Sequence, residues 1–187
     1  MTKTRSMVAA TLAVAAIAAT AACTANDPKP TPTTTTSVTS TPTTPAPSST
    51  SLSPAQQDAK NAGQTITRFW GVLDALASDQ TKSLDELATV SRDASINTWR
   101  QLLTRHRVEQ STQVGKTTVG EPAVKPISAS RFGVVACIDV SKVNLVDNAG
   151  KSVVAANRPP RVQYQYIVEK AAGGGFYVVE DRVVQTC

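Results

Sequence analysis

Aromatic residues make up only 4% of this 187-residue chain, and histidine occurs once, as His106. So few rings offer little on which to stack nucleobases. The formal net charge of +5 is spread over separated cations such as Lys116, Lys125, Arg131, Lys142, Lys151, Arg158 and Arg161, with no basic run of the length that marks a nucleic-acid tail. A solvated surface is the better reading, and no nucleic-acid partner is expected. Cys-x-x-Cys, Gly-x-Ser-x-Gly, a phosphate loop, zinc-ligand spacing and an Asn-x-Ser/Thr acceptor are all missing. No metal or cofactor is therefore predicted. His106 stands between Arg105 and Arg107, whose charges disfavour its protonated form. It reads as a surface or boundary histidine in preference to a catalytic base.

What is present begins with a short basic and then apolar segment. Lys3 and Arg5 precede a nearly unbroken apolar run over residues 8–19, closed by Thr20-Ala21-Ala22-Cys23. A membrane-spanning helix needs about 20 apolar residues, so the run suits a secretory signal better than a permanent span. The segment resembles a bacterial lipoprotein signal, with Ala21, Ala22 and Cys23 matching the lipobox and Thr20 departing from it. That resemblance implies cleavage over 1–22, lipid on Cys23, and a location on the extracytoplasmic face of the cell membrane. The plainer alternative is an ordinary secretory signal with a chance cysteine nearby.

Residues 24–53 are dominated by Thr, Ser and Pro, with Val38 and Leu52 as the sizeable apolar side chains. Such a stretch buries too little surface to offset the entropy of ordering, so a disordered linker is expected over 23–53. As polyproline II its limiting reach is on the order of 90 Å, and as a flexible coil nearer ~30 Å. Either holds a domain clear of a membrane. The composition also suits an O-glycosylated stalk.

A domain is expected over 54–187. Ser53-Pro54-Ala55-Gln56 combines an N-cap serine, a first-turn proline and a glutamine that closes a capping box. Ala59, Ala62, Ile66, Phe69, Leu73 and Leu76 then recur at helical spacing, with Trp70 flanking the stripe. Ser83-Leu84-Asp85-Glu86 predicts a second, short helix, and a third is expected from about residue 93 to 110, with Ile96, Trp99, Leu102, Leu103 and His106 near one side. From Gln113 the period becomes two. One strand region holds Val114, Val119 and Val124 between breaks at Gly115, Gly120, Pro122 and Pro126. Phe132, Val134, Ala136, Ile138 and Val140 share one face of the next strand; Cys137 and Asp139 lie on the other. Val162, Tyr164, Tyr166 and Val168 alternate in a further strand, and a last one follows Gly173-Gly174-Gly175. Helices followed by an antiparallel meander make an α+β pattern: three N-terminal helices on a sheet of about four strands.

That order, with Gly-Glu-Pro at 120–122, Val-Val-Ala-Cys-Ile-Asp at 134–139, Val-Asp-x-x-Gly at 146–150, Gly-Gly-Phe-Tyr-Val-Val at 174–179 and a terminal Cys187, is similar to the small secreted proteins and lipoproteins of actinobacteria and their phages that have a nuclear-transport-factor-2-like domain. The resemblance covers about residues 54–187. It implies a cone, with a curved antiparallel sheet wrapped on the long helix. Phe176 stands where such proteins often carry Trp. The phage side of the resemblance implies one further role, a prophage lipoprotein that excludes superinfection.

Three cysteines in an exported chain leave one over, and lipid on Cys23 accounts for it. Cys137 and Cys187 then have an oxidising compartment in which to pair, a link worth about 3–4 kcal/mol. A simple meander opposes this, because the intervening strand would hold them about 9–10 Å apart and a disulfide needs about 7 Å or less. The chain end must curl past the sheet edge, or the two are free thiols. For chemistry, Asp139 is the first candidate and Asp181 the next, in a possible pocket lined by Trp70, Trp99, Tyr164 and Tyr166. Each acid is more commonly an exposed or paired strand residue. Two readings follow: a non-catalytic envelope module gripping another envelope protein or a small apolar ligand, or a small hydrolase or isomerase using Asp139. A filled cone with Asp139 in solvent favours the first.

Overall fold

The computed structural model describes residues 51–187. Cys23, the signal segment and the linker through residue 50 lie outside the described residues.

The first helix, α1 (Pro54–Ser78), starts where its capping signals place it. Ser53 Oγ accepts from the Gln56 amide at 3.3 Å, and Gln56 Oε1 accepts from the Ser53 amide at 2.9 Å. The stripe Ala62, Ile66, Phe69, Leu73 and Leu76 is buried, and Trp70 beside it is buried as well. Each such large side chain contributes about 1.5–3 kcal/mol on burial.

The expected second helix is a short 3-10 helix of six residues, Leu84–Thr89. Ser83 Oγ takes the amide of Asp85, two residues on, at 3.2 Å, a tighter closure than an α-helical cap provides. Leu87 and Val90 still reach the core. The next helix, α2 (Asp93–Val108), begins without a side-chain cap. The Arg92 amide instead donates to Val178 O at 2.9 Å, so the last strand tethers the chain where the helix starts.

Seven strands follow: β1 (Thr112–Val114), β2 (Thr118–Val119), β3 (Ala123–Pro126), β4 (Arg131–Asp139), β5 (Asn144–Val146), β6 (Arg161–Lys170) and β7 (Phe176–Thr186). The single strand region expected around Val114, Val119 and Val124 is thus three short strands. β2 and β3 both pair with β4, giving a five-stranded antiparallel sheet in the order β2-β4-β6-β7, while β1 pairs only with β5. Glycine is what breaks the run. Gly115 has φ +85°, and a Cβ there would sit 1.8 Å from Lys142 O, so the chain turns out of β1 against the β4–β5 turn where no other residue fits. Pro126 is tolerated because β3 is an edge strand.

The fold is α+β, with helices packed on one face of a curved antiparallel sheet. Phe132, Val134, Ala136 and Ile138 of β4 and Tyr166 and Val168 of β6 join the α1 stripe in one core. β7 departs from strict alternation twice. Val178 pairs with Val168 and Glu180 with Ile167, leaving Val179 as an extra residue; Val183 pairs with Tyr164 and Gln185 with Gln163, leaving Val184 as another. Each bulge exchanges the faces of the residues beyond it.

β6 does lie between the strands that carry the two cysteines. Past Thr186 the chain crosses the first residue of β6, with the Cys187 amide donating to Arg161 O at 3.4 Å. That crossing closes the Cα–Cα distance between Cys137 and Cys187 to 6.2 Å, and the two form a disulfide.

Candidate functional site

The strand period that buries Ile138 turns its neighbour Asp139 to the other face of β4. Asp139 is therefore not in the cone with the four aromatic residues named beside it. Its carboxylate accepts from the Ser141 amide at 2.9 Å and lies 3.8 Å from Arg161 Nε. The Ser141 bonds, with Arg161 and Lys142 nearby, hold its pKa below the usual carboxylate value. It is a turn-capping residue at the sheet surface.

Trp70, Trp99, Tyr164 and Tyr166 do come together. Trp70 packs edge-on against Trp99 and Tyr164, both at 5.4 Å between ring centroids, and Tyr164 stacks on Tyr166 at 5.7 Å. Phe69, which was assigned only to the helix stripe, joins them against Trp99 and Tyr166. Trp70 Nε1 donates to the Tyr166 hydroxyl at 2.8 Å, which satisfies two polar groups inside an apolar cluster.

Asp181 takes the place at this cluster that Asp139 was expected to fill. The bulge at Val179 puts it opposite Tyr166 on the core side of β7. One carboxylate oxygen accepts from Ser95 Oγ at 2.6 Å and the other from Trp99 Nε1 at 3.0 Å, so α2 is fastened to β7 through this group. Burial raises the Asp181 pKa, and the bonds from Ser95 and Trp99 pull it part of the way back. Burial, with the Asp181 charge nearby, pushes the Tyr164 phenol up to about 12. Burial also raises that of Tyr166, against the lowering effect of the Trp70 bond. Ser95 had no sequence signal, since a serine inside a helix reads as ordinary.

A carboxyl with a raised pKa beside two phenols is material for acid–base chemistry. Here its polar groups are engaged within the domain. Both carboxylate oxygens and the Tyr166 hydroxyl are engaged by internal donors, and Phe69 and Tyr166 are wholly buried. The rings fill the cone. Of the five rings, Trp99 and Tyr164 are only partly buried. His106 lies elsewhere, with Nδ1 3.0 Å from Ser111 Oγ, and its pKa is lowered first by burial and then by Arg105, against Glu109. No group of three or more potential metal-ligating side chains occurs among the described residues, and none of their helices is long and apolar enough to cross a membrane.

No protein-family model matches the chain, and no curated protein matches it in sequence. Solved structures do. The intermembrane-space region of the chloroplast protein ARC6 superposes with a TM-score of 0.53 at 14% identity, covering 68% of this chain and 97% of that one. A protein described as an aromatic ring hydroxylase from Novosphingobium aromaticivorans gives 0.50 at 13% identity, covering 69% and 89%. The fold is shared. A third neighbour, from Salmonella enterica serovar Typhimurium, is described as a nuclear transport factor 2-like superfamily protein and gives 0.49 at 9% identity over 70% and 92%. A shared fold at this level of identity does not by itself fix an activity.

Proposed function

We propose that this chain is a cell-envelope lipoprotein, anchored through lipid on Cys23 to the extracytoplasmic face of the membrane, whose cone-like domain is a non-catalytic binding or assembly module. The observation that carries the non-catalytic part is the filled cone: aromatic rings occupy its interior, and internal donors engage both oxygens of Asp181. The hydrolase or isomerase reading needed Asp139 beside a second polar group in an open pocket, and Asp139 is at the sheet surface. Another envelope protein is the preferred partner.

The anchor is tested by Cys23→Ala. Wild-type protein is expected in the detergent phase after membrane extraction, and the variant in the aqueous phase. A variant that stays membrane-bound would show that the anchor is not lipid on Cys23. Crosslinking on intact cells, followed by recovery of the wild-type protein, is expected to yield an envelope protein that the released variant captures far less.

A further inference from the structure

A second feature lies away from the cone, where the C-terminal half of α1 faces the loop after β1. There a cleft of about 470 Å³ is lined by Gly71, Asp74, Ala75, Asp79, Lys82 and Lys116, among others, within the size range of small-molecule sites. Gly71 is the telling residue. Glycine inside a helix is about 1 kcal/mol less favourable than alanine, and neither usual reason for it applies. Its φ is not in the left-handed region, and a Cβ built on it meets no atom within 4 Å. The lack of a side chain there leaves the cleft floor open.

The walls carry both signs of charge. Lys116 is exposed, and Lys82 is held only loosely, 3.9 Å from Glu86. Asp74 is fully engaged by Gln113 and Thr117. Asp79 is engaged on one side only: its Oδ1 accepts both the amide and the hydroxyl of Thr81, its Oδ2 accepts from no protein donor among the described residues, and the charges of Lys82 and Arg107 act on it without a direct bond. α1 also ends here with no basic residue in its last turn, so the negative end of the helix dipole adds to the Asp79 charge. A bare anion would meet Asp79 and the helix end. A bare cation would meet Lys82 and Lys116. A molecule with both charges satisfies both walls.

We propose that this cleft binds a small ligand with an ammonium and a carboxylate group, of the amino-acid or short-peptide class, with Lys82 and Lys116 on the carboxylate and Asp79 with the α1 C-terminus on the ammonium. The site goes beyond the anchored-module reading and does not depend on the lipid.

The probe is the dipeptide alanyl-alanine, titrated calorimetrically into the full chain in detergent, beside its N-acetylated and its C-amidated forms. The free dipeptide is expected to bind with a dissociation constant on the order of 1 mM, and removal of either charge to weaken it about tenfold or more. Gly71→Leu, which fills the floor from an exposed helix position, and Lys116→Glu are expected to weaken binding to the same degree with the thermal melt intact. Cys23→Ala is expected to bind as the wild type does, which keeps this result separate from that of the anchor. The proposal is overturned if the free dipeptide does not bind, if the capped forms bind equally well, or if Gly71→Leu leaves binding unchanged.

Discussion

Asp181 keeps its carboxylate among neutral donors, Ser95 and Trp99, with the rings of Tyr164 and Tyr166 beside it. Burial raises its pKa above the ordinary 3.8. Between that value and the raised one, the folded state binds more protons than the unfolded state, so stability falls as pH rises through the window. Above the raised value the penalty is constant. Relative to Asp181→Asn, which has no proton to gain, the wild type is expected to gain stability as pH is lowered through the folded pKa. Paired thermal melts over a pH series measure this, and a flat difference would contradict it. The same residue marks the limit of what was legible at this scale. The aromatic set Trp70, Trp99, Tyr164 and Tyr166 followed from helical and strand periodicity, because each period held up to that residue. The choice of acid did not. Alternation itself put Asp139 opposite Ile138, away from the core, while Asp181 reaches the core side only because Val179 is an extra residue in β7.

Caps and turns show which elements local chemistry specifies. The Ser53–Gln56 box, the proline after it and the apolar stripe define α1 without help from the rest of the molecule. α2 differs: its start is set by the Arg92 bond to Val178, and its first residue, Asp93, has φ +51°. A side chain in that left-handed region costs roughly 1–2 kcal/mol that glycine avoids. Asp93→Gly is therefore expected to be more stable than Asp93→Ala by about 1 kcal/mol, the reverse of the ordinary helix ranking. Denaturant unfolding of the two variants decides it, and the ordinary ranking would refute the strain. The Leu84–Thr89 segment has helix-start residues but stops after six residues of 3-10 helix, because Ser91 must meet Val178 before α2 can begin. That constraint comes from a strand more than eighty residues later, and no local pattern announces it.

At the scale of the whole domain, the Cys137–Cys187 bond ties the chain end across β6 to β4. Cys187→Ala and Cys137→Ala are each expected to lower stability by about 3–4 kcal/mol. A reductant should lower the wild-type unfolding midpoint to a similar extent and leave both variants unmoved. A wild-type midpoint indifferent to reductant would sink the structural role of the bond. Anchor, linker and domain are expectations of composition, since charge, hydropathy and Pro content act over a few neighbouring residues and need no fold to be read. Composition and periodicity likewise determined the α+β class, the helix stripe and the core face of β4. Tertiary structure alone decided the crossing of Cys187 over β6, the bulge at Val179 that turns Asp181 inward, and the cleft above Gly71. The physical reason is common to all three: each depends on contacts between residues far apart in the chain, where pairing register and close approach prevail over local preference.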